Sequence, residues 1–225
     1  MMDGKLPRER AVLWKIVLCC LISALGNIGF NSLVSGVLKV SLYMDTVFTV
    51  AAAFAFGLWP GVLTGALLYP AGDGILYNVI FNTRANTFWP TNVFILCTIS
   101  EILLVCFFRV KIRPGQSVSP EEPSFASFIG IAAQLMVLAA LDCIIISVIG
   151  GIIDFVLHGL LAAPKRIYPE DIFKLGLYRN NVPVLAAAIL SRIPINIVDR
   201  FIAVFAGYGI SLVYRKYAAP CSRRR

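Results

Sequence analysis

Charged residues are scarce in this chain, and their scarcity excludes most soluble folds. Only 14% of the 225 residues are Asp, Glu, Lys or Arg, whereas 59% are hydrophobic, and the mean hydropathy is +0.82. Soluble domains carry roughly 25% charged and 45–50% apolar residues. The composition therefore predicts a polytopic membrane protein.

Residues that usually carry chemistry are also few. Histidine occurs once, as His158, which argues against a histidine-rich metal site. The six cysteines form no Cys-x-x-Cys pair and lie mostly in apolar runs, which indicates neither a zinc site nor a disulfide framework. PAGDG at 70–74 lacks the lysine and the spacing of a phosphate-binding loop. We therefore expect no catalysis, cofactor, metal or nucleic-acid partner.

The apolar residues fall into six segments that approach the length needed to cross a membrane, about 20 residues each. We predict an all-α bundle formed by the single domain 1–225, with spans at about 11–30, 43–58, 60–80, 91–109, 126–158 and 182–214. The LWPG link, with Pro60 in a first helical turn, predicts a tight hairpin between the second and third spans. The fifth span is long enough to leave the membrane or to break at Gly150–Gly151.

Basic residues predict the orientation of the bundle. Lys and Arg concentrate in the N-terminal segment, between the fourth and fifth spans and in the C-terminal tail, which share one side of a six-span arrangement. The positive-inside rule makes this side, and both termini, cytoplasmic. The formal charge of +8 then reflects topology and contact with anionic membrane lipid.

Small residues form stripes on two predicted helices. Gly57, Gly61 and Gly65 are four apart and would share one helical face, and Cys20 and Ala24 form a weaker stripe on the first helix. Such faces let membrane helices approach closely, so both are candidate docking surfaces for a partner. The alternative is that they pack only within their own bundle.

Ionisable residues inside the spans are the sharper signal, since each is costly there unless it is paired or faces a cavity. Asp73 and Asp154 lie toward the outer ends of their spans, and Glu101 and Asp142 lie near the middle. The sixth span adds Arg192, Asn196, Asp199 and Arg200. One interpretation is a polar pocket open to the outside. The other is a set of structural ion pairs, Arg192 with Asp142 or Arg200 with the neighbours of Asp199.

Arg192 and Asn196 share a helical face, and Pro194 between them frees a carbonyl group. These groups suit a ligand with carboxylate or heterocyclic amide groups. The outer segments 82–92 and 164–181 suit loops that cover a site, and Trp89 could stack on an aromatic ligand. Both segments are equally compatible with ordinary interfacial loops.

Two stretches resemble the substrate-binding S components of energy-coupling factor (ECF) transporters. YMDTVFTVAAAFAFGLWPGVLTGALLYPAGDG at 43–74 is similar to their second and third helices, with an Asp-Thr near the start and glycines four apart. PINIVDRFIAVFAGYGISLVYRKY at 194–217 is similar to their last helix, where lysine is frequent at the position of Arg200.

The resemblance implies a prokaryotic cell-membrane protein that captures a vitamin or similar micronutrient from outside and works with a transmembrane T component and cytoplasmic ATPase subunits. The ligand would lie in the outer half of the bundle. The expected substrate-binding residues are Asp73, Asn78, Trp89, Glu101, Asp142, Arg192 and Asn196. The expected docking residues are Cys20, Ala24, Gly57, Gly61 and Gly65, although the family's Ala-x-x-x-Ala face is here Cys20-x-x-x-Ala24.

Two other functions remain open at this point. A membrane sensor domain also fits a glycine-punctuated apolar hairpin and would be distinguished by an attached signalling domain. A stand-alone secondary transporter would favour an inverted repeat with broken helices, which the sequence does not display.

Overall fold

The computed structural model of the chain describes residues 5–38, 42–69, 92–112, 125–161 and 169–218. Within these ranges the protein is all-α. The helices are α1 (Lys5–Asn31), α2 (Val47–Phe56), α3 (Leu58–Tyr69), α4 (Ile95–Lys111), α5 (Phe125–Asp154), α6 (Pro169–Arg179), α7 (Val184–Leu190) and α8 (Ile193–Ala218). π-Helical turns at Ser32–Val37 and Phe155–Leu160 extend α1 and α5, and a 3₁₀ turn at Asn92–Phe94 precedes α4.

Three helical stretches are long and apolar enough to cross a membrane: Arg10–Val34, Phe128–Leu160 and Val184–Ala218. They correspond to the first, fifth and sixth predicted spans. α2 and α3 are apolar but short, with 10 and 12 residues, or about 15 and 18 Å at 1.5 Å per residue. The membrane character is therefore supported, while six complete spans and the cytoplasmic side of the termini stay predictions.

The outer surface is apolar, and several charged or polar side chains are buried inside a largely apolar core. Large hydrophobic side chains such as Trp14, Leu25 and Phe128 are exposed on the helix surfaces, whereas Glu101, Asp142 and other polar side chains are fully buried. Water would favour the opposite arrangement, since exposed apolar surface is unfavourable and a buried charge is costly. A hydrocarbon environment accounts for the exposed apolar surface.

α2 is the central helix of the bundle. The run Val50–Phe54 is 0% exposed, and α2 packs against α1, α3, α4 and most extensively α8. Its alanines let the neighbouring helices approach on all sides. Phe54 adds an edge-to-face contact with Tyr208, with ring centroids 5.5 Å apart. A short helix can be this completely enclosed because longer helices surround it.

The predicted hairpin is present, but Gly57 alone forms the link between α2 and α3. Its φ of +101° and ψ of −160° lie in a region that is essentially restricted to glycine. Pro60 occupies the first turn of α3, as expected, and its carbonyl accepts a hydrogen bond from Thr64 Oγ1 at 2.8 Å. The chain thus reverses within one residue.

The stripes of small residues pack within the chain. A Cβ on Gly61 would lie 3.0 Å from both Ala53 and Ile102, and one on Gly65 would lie 2.9 Å from Thr98. On α1, Cys20 and Ala24 are buried, and Cys20 Sγ lies 3.6 Å from the Pro60 carbonyl of α3. These faces are occupied by the chain's own helices, so the docking role predicted for them has no support in this arrangement.

α5 runs without a break through Gly150–Gly151, so of the two expectations for this long segment only its extension beyond the membrane stays a prediction. The missing side chain of Gly151 admits Ile189 of α7, whose Cα would lie 2.7 Å from an added Cβ. The sixth predicted span instead breaks at Ser191–Arg192, and Pro194 falls in the first turn of α8, where its missing N–H costs little. The outer segment 164–181, predicted as a loop, contains α6.

The ends of the bundle differ in charge. α2, α4 and α8 finish at one end, where Arg109 and Arg215 donate to carbonyls at the end of α2 and Lys15 of α1 lies 3.4 Å from the Tyr217 carbonyl. We call this the basic end. Its basic side chains are Arg10, Lys15, Arg109, Lys111, Arg215 and Lys216. The start of α1 and the finish of α8 therefore lie at the same end.

Close contact between α2 and α8 predicts a sharp difference between two glycines of α8. An added Cβ on Gly207 would lie 2.7 Å from Val50 and 3.0 Å from the Val47 carbonyl, whereas Gly209 has nothing within 4 Å. We expect Gly207→Leu to lower the free energy of unfolding by about 1–3 kcal/mol or more. Gly209→Leu, the matched control, should leave the unfolding midpoint in detergent unchanged. Equal midpoints for both variants would contradict this packing.

Candidate polar binding site

α5 and α8 pack antiparallel, and their facing surfaces are polar. Asn196 Nδ2 donates to Ser147 Oγ at 2.9 Å, Arg200 Nη1 lies 4.0 Å from Asp142, and Arg192 Nη1 lies 3.1 Å from the Cβ position of Gly150. We call this line of contacts the polar seam. Its register separates Arg192 from Asp142, so the predicted pairing of these two residues is wrong.

Arg200 lies at the centre of the deepest part of the seam. Its Nη1 is 2.5 Å from Glu101 Oε1 of α4, and its Nη2 contacts Asp199 of the same helix. Asp142 and Asp45 lie 4.0 and 3.9 Å from the guanidinium nitrogens. We call these four acids the carboxylate cluster. Asp45 is partly exposed, whereas Glu101, Asp142 and Asp199 are fully buried.

The start of α2 is tied into the same cluster. Thr46 precedes α2 at the position where a hydroxyl usually caps the helix, but it makes no capping bond. Its Oγ1 instead donates to Glu101 at 3.1 Å and accepts from Arg200 at 2.9 Å. Asp199 accepts the backbone N–H of Met44 at 2.8 Å, which holds Met44 at its positive φ of 44°. Arg200 and Asp199 thus fix both α8 and the approach to α2.

Acceptors exceed donors in the carboxylate cluster. Four carboxyl groups surround one guanidinium. Glu101 Oε2 and both oxygens of Asp142 are buried and receive no hydrogen bond from any other described residue. An unmade hydrogen bond at a buried polar atom costs about 1–3 kcal/mol. The cluster therefore has unused capacity for protons or for N–H groups supplied by a ligand.

A second group of charges lies nearer the end opposite the basic end. Asp154, near the end of α5, contacts Lys174 of α6 and lies 3.9 Å from both Arg192 Nη2 and His158 Nε2. We call these four residues the Asp154 cluster. Arg192 also lies over the ring of Phe94, 5.2 Å from its centroid. Here basic groups outnumber the carboxylate, the reverse of the carboxylate cluster.

α6 lies at the end of the polar seam opposite the basic end. Lys174 reaches Asp154 of α5, and Glu170, which is buried, accepts a hydrogen bond from Tyr43 in the segment before α2. The two contacts attach α6 to both sides of the bundle. The described part of the range 164–181 forms a helix rather than the expected loop, and its role as a cover stays a prediction.

The structure brings four of the predicted binding residues into the seam: Glu101 and Asp142 in the carboxylate cluster, Arg192 in the Asp154 cluster and Asn196 between them. Asp73, Asn78 and Trp89 lie outside the described residues. Sequence reasoning did not include Asp45, Thr46 and Arg200 among the binding residues. Asp45-Thr46 and Arg200 do occur in the two stretches that carry the ECF resemblance, so that signal was available.

Among the described residues, no group of three or more His, Cys, Asp or Glu side chains is placed to hold a metal ion. No protein-family model matches the chain, and neither the curated proteins nor the solved structures contain a match. The functional argument therefore rests on the geometry of the described residues and on the sequence resemblance of two stretches.

The unequal bonding of Asp142 and Asp199 predicts unequal roles in stability. Asp199 accepts bonds from Met44 N and Arg200, whereas Asp142 accepts none. We expect Asp199→Asn to lower the free energy of unfolding by about 1.5–3 kcal/mol. Asp142→Asn, which has the same shape and removes an excess buried charge, should leave stability within about 0.5 kcal/mol or raise it. Equivalent losses in detergent unfolding would show that Asp142 is a structural ion-pair partner.

Proposed function

We propose that this chain is a membrane-embedded binding protein for a small polar solute and that it works as the substrate-capture subunit of an ECF-type importer. The observation that carries the first part is the buried Asp142 carboxylate, which accepts no hydrogen bond. Its one ion-pair contact, from Oδ2 to Arg200 Nη1, is 4.0 Å long and leaves both oxygens able to accept a hydrogen bond. The second part rests on the resemblance of 43–74 and 194–217 to S components.

The chemistry of the seam indicates the kind of solute. Glu101 and Asp142 offer acceptors to a ring N–H or amino group, and Arg192 offers donors to a carboxylate or carbonyl oxygen. Arg192 and Arg200 are separated along α8 by about 12 Å, taking 1.5 Å per residue. A vitamin-sized heterocycle with donors at one end and acceptors at the other fits this polarity.

α6 has the position of a cover in this proposal. Its contacts through Lys174 and Glu170 close the end of the bundle next to the Asp154 cluster. Because Asp142 and Glu101 are 0% exposed, a solute reaches them only when the helices or the cover move. Exchange between closed and open states would then limit both binding and release.

Binding is tested by thermal-shift measurements on the detergent-purified chain against vitamins, nucleobases, amino acids and metal ions. A ligand present at 1,000 times its Kd adds about 4 kcal/mol to stability, so a tight ligand should be evident. We expect Arg192→Ala to weaken binding of that ligand by more than tenfold. Arg179→Ala, which removes an exposed arginine of α6, is the matched control.

Two results would contradict this proposal. One is a well-folded chain that no solute stabilises, and the other is an unchanged Kd in the Arg192→Ala variant. A membrane sensor that binds without transport is the second candidate, because it would use the same seam. Uptake measurements distinguish the importer subunit from the sensor. An importer subunit should support ATP-dependent uptake of the identified solute when a T component is present, and that uptake should be absent without the chain.

A further inference from the structure

A cavity of about 320 Å³ lies at the basic end, away from the polar seam. It is lined by Ala55, Cys106, Arg109, Val110 and Arg215, from α2, α4 and α8. Its volume is within the range of small-ligand sites. Two of its five lining residues are arginines, which makes it cationic.

Both arginines have a structural role that uses little of their bonding capacity. Arg109 Nη2 donates to the Ala55 carbonyl at 3.0 Å, and Arg215 Nη2 donates to the Phe54 carbonyl. These bonds satisfy carbonyls in the last turn of α2, where cations are favourable. A guanidinium has five N–H donors, and among the described residues neither arginine forms a salt bridge with a carboxylate. The two guanidinium groups therefore line one cavity, and no carboxylate among the described residues neutralises them.

The exposed residues around the cavity are of the types found at membrane interfaces. Val110, which lines it, is 66% exposed and Phe107 is 59% exposed, so the cavity adjoins the apolar outer surface. Arg109 also lies against the link to α3, 2.5 Å from the Cβ position of Gly57. Trp59, which follows that link, is 79% exposed. Exposed tryptophan is characteristic of the headgroup level of a bilayer.

We propose that this cavity binds the phosphate group of an anionic phospholipid, with Arg109 and Arg215 as its ligands. A phosphate oxygen accepts charge-assisted hydrogen bonds from both guanidinium groups and relieves their mutual repulsion. The acyl chains continue along the apolar surface beside Val110 and Phe107. The site is independent of the solute-binding function proposed for the seam.

Native mass spectrometry of the chain exchanged between phosphatidylglycerol and phosphatidylcholine tests this proposal. We expect the chain to retain phosphatidylglycerol selectively and Arg109→Gln/Arg215→Gln to bind it at least about tenfold more weakly. Glutamine keeps an N–H for the α2 carbonyls. Lys111→Gln/Lys216→Gln removes the same charge from exposed side chains at the same end and should bind nearly as tightly as the unsubstituted chain. Equal losses in the two variants would overturn the site in favour of general surface charge.

Cys106 provides a second readout that requires no arginine substitution. Because Cys106 lines the cavity, phosphatidylglycerol in nanodiscs should slow its reaction with a maleimide several-fold relative to phosphatidylcholine, as followed by peptide mapping. An unchanged rate would overturn the proposal. Inorganic phosphate in detergent serves as the comparison ligand. If it protects Cys106 as well as the lipid does, the site binds a soluble anion and the lipid assignment is wrong.

Discussion

The ion pairs of Arg200 are the constraint on which the interior depends. A guanidinium buried among helices must be compensated, because an uncompensated charge in an apolar interior costs several kcal/mol. Glu101 on α4, Asp199 on α8 and Thr46 before α2 provide that compensation. These contacts join three separate elements at one point. The short central helix α2 is thereby fixed at its start, while Arg109 and Arg215 fix its end.

The acids around Arg200 exceed its single charge, although its Nε donates no hydrogen bond to a described residue. Glu101 and Asp199 contact the guanidinium directly, whereas Asp142 stands 4.0 Å away and accepts no hydrogen bond. A buried carboxyl group that accepts no hydrogen bond is unfavourable for folding, and proteins keep such groups mainly where they act. The arginines at the basic end show the opposite imbalance, with cations that exceed the described acids. The excess of acids lies in the interior, whereas the excess of cations lies at a partly exposed end of the bundle.

The sequence predicted the helical class and the position of three long apolar helices because hydrophobic length depends only on composition along the chain. Glycines four apart correctly indicated close helix packing, but the spacing does not show which helices pack against them. Residues of α2 and α4 pack against Gly61 and Gly65. The break at Ser191–Arg192 was missed because Pro194 marks the first turn of a helix as readily as a kink.

Their position within apolar segments singled out Glu101, Asp142, Arg192 and Asn196 as interior polar residues. In the structure, Asp142, Arg192 and Asn196 lie along the polar seam, and Glu101 of α4 joins them in the carboxylate cluster. Their pairing could not be deduced, because it depends on the antiparallel register of α5 and α8. That register joins Asp142 to Arg200 and Arg192 to the Asp154 cluster. The contacts of Thr46 could not be deduced either, since a threonine before a helix normally caps it, although its place in the ECF-like Asp-Thr pair marked it as a residue of interest.

The role of Arg200 is tested most directly by a double-mutant cycle with Glu101, measured as the free energy of unfolding in detergent. Arg200→Gln should cost about 3–5 kcal/mol, because it leaves the buried carboxylates uncompensated. The Glu101→Gln/Arg200→Gln pair should recover part of that loss, while Arg179→Gln at the exposed surface should have no effect. Additive effects, or an Arg200→Gln variant as stable as the unsubstituted chain, would contradict an interior organised by this arginine.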